Sequence, residues 1–204
     1  MSQIGFYIDT SACIGCKTCE LACKDKNNLP MGTRLRRVRE YGGGGWTTKN
    51  GFMIPDKIFT YFVSASCMHC AKPACLEVCP VKAISKNNAN GVVSINKAAC
   101  IGCGSCLDKC PYDAPSLNKQ EEKMYKCDLC QDLLSEGKNP VCVDGCLQRC
   151  LKTGELEKLH QQYGKLDTVP PLPAGKATVP SVAITQAVVP SGVKNARVRN
   201  TTEL

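Results

Sequence analysis

The fold is decided by a short cysteine-rich stretch near the middle of the chain. Residues 99–111 read Ala-Cys-Ile-Gly-Cys-Gly-Ser-Cys-Leu-Asp-Lys-Cys-Pro, which gives the spacing C-x2-C-x2-C-x3-C with a proline directly after it. The same spacing occurs near the N-terminus, at Cys13, Cys16, Cys19 and Cys23. Residues 12–16 repeat residues 99–103 letter for letter. The chain therefore contains an internal repeat built on cysteine.

Two further cysteine groups correspond to each other in the same way. One has the spacing C-x2-C-x4-C-x3-C and the other C-x2-C-x11-C-x3-C. They consist of Cys67, Cys70, Cys75 and Cys79, and of Cys127, Cys130, Cys142 and Cys146. A Pro-x-Cys segment, at residues 73–75 and 140–142, precedes the last cysteine of each. The two kinds of group alternate along the chain, which indicates a duplication.

The composition explains why so many cysteines are needed. The 204 residues suit one or two domains, and they include four Phe, one Trp and six Tyr against 17 Cys. A core with so few large rings needs metal clusters or disulfides for cohesion. A hydrophobic fraction of 43% excludes wholesale disorder. No stretch approaches ~18 consecutive apolar residues, so no membrane span is predicted, and residues 1–10 lack the pattern of a secretory signal.

The spacing C-x2-C-x2-C-x3-C is that of bacterial ferredoxins, in which three cysteines bind one iron–sulfur cube and the fourth binds its neighbour. Two-residue gaps let a tight loop direct three thiolates at one cluster. Gly15 and Gly102 allow the backbone to come close and its N–H groups to point at the sulfurs. The fourth cysteine is predicted on a short helix beyond the loop, and the proline after it fixes the chain direction.

Two other chemistries use many cysteines. A disulfide framework suits short secreted chains, but four sets containing adjacent C-x2-C pairs are an awkward layout for it. Zinc also binds C-x2-C pairs, but a zinc site does not require the pair to be followed by a third and a fourth cysteine at the spacing x2-C-x3-C. The repeated run therefore favours iron–sulfur ligation over both.

The ferredoxin rule also predicts how the groups pair. Only 20 residues separate Cys79 from Cys100, which indicates that the second and third groups form one module and that the first pairs with the fourth around it. The predicted ligand sets of four [4Fe–4S] clusters are, in order, Cys13, Cys16, Cys19 and Cys146; Cys23, Cys127, Cys130 and Cys142; Cys67, Cys70, Cys75 and Cys110; and Cys79, Cys100, Cys103 and Cys106. Cys150 is the alternative to Cys146. Cys146 is favoured because it repeats the interval from Cys75 to Cys79, which leaves Cys150 as a buried apolar thiol.

The pairing predicts an α+β fold of two bacterial-ferredoxin-like two-cluster modules, one inserted in the other. The predicted segments are 1–32 and 112–166 for the outer module, 33–66 for a β-rich insertion, 67–111 for the inner module and 167–204 for an extended arm. Short strands with glycine turns are expected in the insertion, with the glycine run at residues 42–45 lying between strands. The arm is rich in proline and valine, and it is either a disordered terminus or, as favoured here, an extended segment laid over a partner subunit.

Smaller elements are predicted from local patterns. Strands are expected at residues 6–8 and 91–95, and helices at 128–137 and 155–163, each helix stopped by a glycine. His69 is interpreted as a hydrogen-bond donor beside a cluster or a surface residue, and His160 as exposed. No Ser–His–Asp or Cys–His pattern is present to support hydrolytic catalysis.

The formal net charge of +8 would by itself favour nucleic acid or an anionic membrane as a partner. A 2+ cube with four thiolates carries about two negative charges, so four such sites would offset that excess. Nucleic-acid binding is therefore not predicted. The basic run at residues 34–39 alternates with Leu35 and Val38 and is interpreted as the solvated face of a strand.

Further stretches carry a resemblance to a known family. They are residues 5–9, 16–25, 106–112, 136–138, 140, 163–164 and 171–173. Together with the four-group spacing, they resemble the four-cluster iron–sulfur subunits of the molybdopterin oxidoreductases, most of all the electron-transfer subunit of dimethyl sulfoxide reductase. The resemblance covers nearly the whole chain. Two departures are Leu147, where the family has proline, and Cys150, where a small apolar residue is usual.

The resemblance implies a non-catalytic subunit of an anaerobic respiratory reductase. It would relay electrons one at a time from a membrane anchor that oxidises menaquinol to a molybdopterin-containing catalytic subunit. The first ligand set would face the catalytic subunit and the fourth the anchor. Some relatives lack the cysteine matching Cys103 and hold a three-iron cluster there, but Cys103 is present here, so [4Fe–4S] clusters are predicted throughout. Subunits of tetrathionate, thiosulfate or polysulfide reductases are alternatives, as is a free-standing polyferredoxin shuttle.

The compartment is predicted from the same resemblance. The lack of an export signal would by itself favour the cytoplasm. Family members travel folded with a partner that carries a twin-arginine signal. The resemblance thus implies a position peripheral to the inner membrane, on its periplasmic face, with the cytoplasmic face as the alternative.

Overall fold

The computed structural model describes residues 2–203, so Met1 and Leu204, the ends of the first and last predicted segments, lie outside it. The chain mixes short helices with sheets, as predicted. The strands are β1 Ile4–Asp9, β2 Arg36–Lys49, β3 Phe52–Ser66, β4 Ile84–Lys86, β5 Val93–Ile95, β6 Ser116–Asn118, β7 Lys123–Tyr125, β8 Leu151–Glu155, β9 Val182–Thr185 and β10 Arg197–Val198. The helices are α1 Thr18–Lys26, α2 Ala74–Glu77, α3 Ser105–Asp108, α4 Gln131–Ser135, α5 Val141–Asp144 and α6 Leu156–Tyr163.

The first sheet brings distant parts of the chain together in the order β8-β1-β9. β1 runs antiparallel to β8, with Ile4 opposite Glu155, and parallel to β9, with Phe6 opposite Val182. Both faces of β1 are covered, which is why its sequence is continuously apolar rather than alternating. Its Tyr7 ring stacks on that of Tyr163 in α6, with ring centroids 3.7 Å apart.

The predicted β-rich insertion is a single long hairpin of β2 and β3, turned at Asn50 and Gly51. The prediction of glycine turns was wrong, because the run Gly42–Gly45 lies inside β2. The register shifts between Gly43 and Gly45, and Gly44 has φ +91°. A Cβ on Gly44 would lie 2.3 Å from the carbonyl oxygen of Lys57, so the glycines permit a bulge in closely paired strands.

The interpretation of the basic run as a solvated strand face was also wrong. Arg36 is only 2% exposed and Arg39 only 9%. Arg39 pairs with Asp113 at 3.0 Å, and the Arg36 guanidinium lies 4.6 Å from the centroid of the Phe6 ring. Arg36 and Arg39 lie on opposite faces of β2, so both faces of the strand at this end are packed against the rest of the chain.

The C-terminal segment is extended and packs on its own chain. β9 joins the first sheet, and β10 pairs with β2. Just before β9, the carbonyl oxygen of Val179 accepts a hydrogen bond from the N–H of Ala71 at 2.8 Å, and the N–H of Ser181 donates to Met68 O at 2.8 Å. The segment therefore stabilises the region around the second cysteine group.

The helices that carry cysteines pack in pairs. α1, from the first group, packs against α5, from the fourth, and α2 packs against α3. The predicted helix at 128–137 is shorter, at Gln131–Ser135, while α6 ends before Gly164 as expected. Within residues 2–203, no helix has the length and apolarity needed to cross a bilayer.

Candidate metal centres

Each cysteine group begins with the same tight loop. The residue two positions after the first cysteine has positive φ in all four groups: Gly15, His69, Gly102 and Leu129. In the second, third and fourth groups, the backbone N–H of this residue donates to the sulfur of that first cysteine at 3.4 Å. Peptide N–H groups directed at sulfur are the arrangement that stabilises thiolate ligands of iron.

The tightness of this loop makes Gly102 sensitive to substitution. Its φ is +72°, and a Cβ there would lie 2.1 Å from the carbonyl oxygen of Glu122. We expect Gly102→Ala to cost about 1–3 kcal/mol and to lower the iron content of the purified chain by one cluster. Gly104→Ala is the matched control, because Gly104 has φ +82° but a Cβ added to it would meet nothing within 4 Å. Equal iron loss in both variants would contradict the role of the close contact.

The second half of each group is a short helix. The third cysteine lies on it, as Cys19, Cys75, Cys106 and Cys142 on α1, α2, α3 and α5. The fourth cysteine follows within two residues of the helix end, except for Cys23, which lies in α1. In the other three groups, the residue three positions after the fourth cysteine has positive φ: Lys82, Asp113 and Arg149. The N–H groups of Ala83 and Ala114 then donate to the sulfurs of Cys79 and Cys110 at 3.2 and 3.4 Å.

Three of the predicted ligand sets line separate cavities. These are Cys13, Cys16, Cys19 and Cys146; Cys67, Cys70, Cys75 and Cys110; and Cys79, Cys100, Cys103 and Cys106. The empty volumes are similar, at about 310, 370 and 300 Å³. Among residues 2–203, no three or more Cys, His, Asp or Glu side chains are grouped so as to hold a single metal ion. The four cysteines of each of these three sets therefore line a cavity and do not meet at a position where one metal ion could bind.

The remaining predicted set is buried between the others. Cys23, Cys127, Cys130 and Cys142 are all buried. Burial, together with the neighbouring Cys142 and Cys130, raises the pKa of Cys23 to about 12. As a free thiol, Cys23 stays protonated at neutral pH, so holding it as a ligand requires the positive charge of a metal.

Two of the cysteines are exposed, and they occupy equivalent positions in the repeat. Cys16 is in the first set and Cys103 in the fourth. Each lies two residues after an exposed isoleucine, Ile14 at 55% and Ile101 at 59%. The first and fourth cavities therefore open at the surface, while the set containing Cys127 is enclosed.

His69 is buried, which excludes the interpretation of a surface residue. Its Nδ1 accepts a hydrogen bond from the N–H of Val93 at 3.1 Å, and burial and then Lys126 lower its pKa. The ring is therefore neutral, with its proton on Nε2. That Nε2 has no hydrogen-bond partner among the described residues. The ring therefore carries a buried donor that lacks an acceptor within residues 2–203. His69 lies between Cys67 and Cys70 in sequence, but it is not among the residues that line the cavity of their set.

His160 differs from its prediction as well. It is half-buried and not exposed as expected, and its Nε2 lies 3.1 Å from the carbonyl oxygen of Val182. The contact links α6 to β9, so this histidine belongs to the packing of the first sheet.

Cys150 is buried, as predicted, but its surroundings are not apolar. It lines the first cavity, and its sulfur lies 3.3 Å from that of Cys146. Hydrogen bonding from Cys150 lowers the pKa of Cys13 to about 7. The first cavity thus has five thiols where the others have four.

Other residues at the cavities were not found by sequence reasoning. Lys126, Tyr112 and Thr178 line the cavity of the third set. The position of Lys126 directly before Cys127 was a visible signal. Thr178 comes from the C-terminal segment, and no local pattern connects it to cysteines more than 60 residues away. Ser64, 3.2 Å from the sulfur of Cys19, is a similar case.

Comparisons with known proteins show the family to which the chain belongs. A family described as a 4Fe-4S dicluster domain matches residues 58–156. The chain is 45% identical over 183 residues to the probable anaerobic dimethyl sulfoxide reductase chain YnfG of Escherichia coli (strain K12), over 90% of this chain and 88% of the relative. It is 44% identical over 184 residues to the B subunit of anaerobic dimethyl sulfoxide reductase from Haemophilus influenzae, over 90% and 89%.

A more distant similarity is to the formate dehydrogenase-O iron-sulfur subunit of Escherichia coli (strain K12). The identity is 33% over 164 residues, which cover 77% of this chain and 55% of that subunit. The similarity to dimethyl sulfoxide reductase subunits is greater and spans nearly the full length of both chains. The chain belongs to the family of iron–sulfur B subunits of anaerobic dimethyl sulfoxide reductases.

Proposed function

We propose that this chain is the non-catalytic electron-transfer subunit of an anaerobic respiratory reductase of the dimethyl sulfoxide reductase type. It would receive electrons from a membrane anchor that oxidises menaquinol and deliver them to a molybdopterin-containing catalytic subunit. The observation that carries the proposal is that three of the four predicted cysteine sets each line a cavity of their own, in a member of this family.

Four [4Fe–4S] clusters are the cofactors that these thiols fit. The first would be held by Cys13, Cys16, Cys19 and Cys146; the second by Cys23, Cys127, Cys130 and Cys142; the third by Cys67, Cys70, Cys75 and Cys110; the fourth by Cys79, Cys100, Cys103 and Cys106. Bound clusters of this kind supply one-electron chemistry. The chain supplies thiolates, N–H donors to sulfur and, around the second set, a buried environment.

The proposed architecture is two ferredoxin-like modules, one inserted in the other. It is supported by the packing of α1 on α5 and of α2 on α3, which pairs the first cysteine group with the fourth and the second with the third. Shared helical packing would bring the two clusters of each module close together. The fourth cysteine of one group can then reach the cluster of its partner group, as the crossover rule requires.

The ends of the relay are proposed from exposure. Cys16 and Cys103 are the exposed members of the first and fourth sets. Since electron exchange with a partner requires close approach, these two sets would lie at the ends of the relay. By resemblance to the family, the first would face the catalytic subunit and the fourth the anchor. By the same resemblance, the subunit would be peripheral to the inner membrane, on its periplasmic face.

The proposal is tested by purifying the native assembly without oxygen. We expect about sixteen irons per chain, brown iron–sulfur absorption, and copurification with a molybdenum-containing subunit that is reduced when quinol is added. A folded, colourless and iron-free chain would refute the cofactor assignment. A chain with all its iron that remains a monomer would refute the partners and favour a free-standing shuttle.

A further inference from the structure

Two buried cations have no carboxylate partner. Arg36, Arg39 and Lys126 are the buried basic side chains, at 2%, 9% and 7% exposure. Arg39 pairs with Asp113, but among residues 2–203 neither Arg36 nor Lys126 forms an ion pair with a carboxylate. A buried charge without a counter-charge is strongly destabilising. Some other anion must therefore balance these two side chains.

Arg36 lies beside the first and second cysteine sets. Its Nη1 donates to the carbonyl oxygen of Ser64 at 2.9 Å and to the Ser64 hydroxyl at 3.1 Å. The same hydroxyl is 3.2 Å from the sulfur of Cys19 and lines the first cavity. Burial lowers the pKa of Arg36, but Cys142 and Cys19 outweigh burial and raise it. The guanidinium is therefore close to thiols of both sets.

Lys126 lies beside the second and third sets. It directly precedes Cys127 of the second set, and its Nζ donates to the Cys127 carbonyl oxygen at 2.9 Å. The same side chain lines the cavity of the third set. Its Nζ also donates to Val93 O, so its position is fixed by backbone contacts on two segments.

We propose that Arg36 and Lys126 are positioning residues that place one positive charge at each of two of the three junctions of the relay, between the first and second clusters and between the second and third. This inference rests on the proposed function. A ligated cluster becomes more negative on reduction, so a fixed nearby cation favours the reduced form and raises the potential. The cations also offset the repulsion between neighbouring anionic sites.

The test is a redox titration of the purified holo-complex, followed by electron paramagnetic resonance. We expect Lys126→Met to lower the equilibrium constant for reduction of the second and third clusters at least tenfold. For a one-electron couple this corresponds to a reduction potential lower by about 59 mV. Arg36→Met should act in the same direction on the first and second. The fourth cluster is the internal reference and should not move.

Two kinds of control separate charge from packing. Lys158→Met removes a charge that is 74% exposed and should shift no cluster. Lys126→Arg and Arg36→Lys keep the positive charge, so their cluster potentials should lie close to those of the wild type. If the Met variants fail to assemble clusters, assembly of the charge-retaining variants supports the inference, and failure of both kinds indicates a packing role and overturns it.

Unchanged potentials in fully loaded Met variants, or an equal shift of all four clusters, would also overturn the inference. The proposed function is judged separately, from the wild-type complex. Fewer than four cluster signals in the wild type would refute that proposal, whereas four signals with unmoved potentials in the variants would refute only the role of the two cations.

Discussion

The Cys103→Ser substitution is expected to stop the chain from accepting electrons from quinol while its fold is retained. A serine hydroxyl is a far weaker ligand than a thiolate at neutral pH, and Cys103 is exposed at the edge of its cavity, so little else would compensate. We expect the fourth site to convert to a three-iron form and quinol-driven reduction to fall by about 100-fold or more. Electron paramagnetic resonance of membranes reduced with a menaquinol analogue measures both effects.

The repeat provides a matched variant at the other end. The four residues before Cys16 are identical to the four before Cys103, and both cysteines are exposed. Cys16, however, belongs to the first set. Cys16→Ser should leave quinol-driven reduction of the second, third and fourth clusters intact while substrate reduction is lost. If both variants block reduction by quinol equally, the assignment of the two ends is wrong. Circular dichroism establishes that each variant is folded.

The parts of the fold that sequence could predict are those held together by local geometry. A C-x2-C loop must turn sharply, so Gly15 and Gly102 with positive φ follow directly from the spacing. The same geometry occurs at His69 and Leu129, where the residue type gives no hint of it. There the cysteine spacing was the better guide, because the loop around the thiols overrides the preference of the residue for negative φ.

The parts that sequence could not predict depend on contacts between distant segments. The run at residues 34–39 alternates like an exposed strand, yet Arg36 is buried, because a cation can be accommodated where thiols surround it. The C-terminal segment lacks cysteines and is rich in proline, but β9 completes the sheet of β1 and Thr178 lines a cavity. Local composition cannot reveal such partners.

The second large effect is expected at the first cavity, where Cys150 is a fifth thiol. Cys150 lies four residues after Cys146, and the equivalent positions after Cys79 and Cys110 are Ala83 and Ala114. The N–H groups of those alanines donate to the sulfur of the fourth cysteine, so this position lies against the ligand in each group. The sulfur of Cys150 is 3.3 Å from that of Cys146. We expect Cys146→Ser to keep its first cluster by ligation through Cys150.

The double variant Cys146→Ser/Cys150→Ala should then lose the first cluster, with about four irons fewer per chain and no electron delivery to the catalytic subunit. Cys150→Ala alone should retain the cluster, since Arg149 has the same positive φ as Lys82 and Asp113 and thereby places Cys146 as the fourth ligand. Cys79→Ser is the matched control without a reserve thiol, because Ala83 occupies the position of Cys150, and it should lose its cluster as a single variant.

Iron analysis and the electron paramagnetic resonance spectrum of each variant measure which clusters remain. Loss of the first cluster in Cys146→Ser alone would show that Cys150 cannot reach the metal, and loss in Cys150→Ala alone would make Cys150 the native ligand.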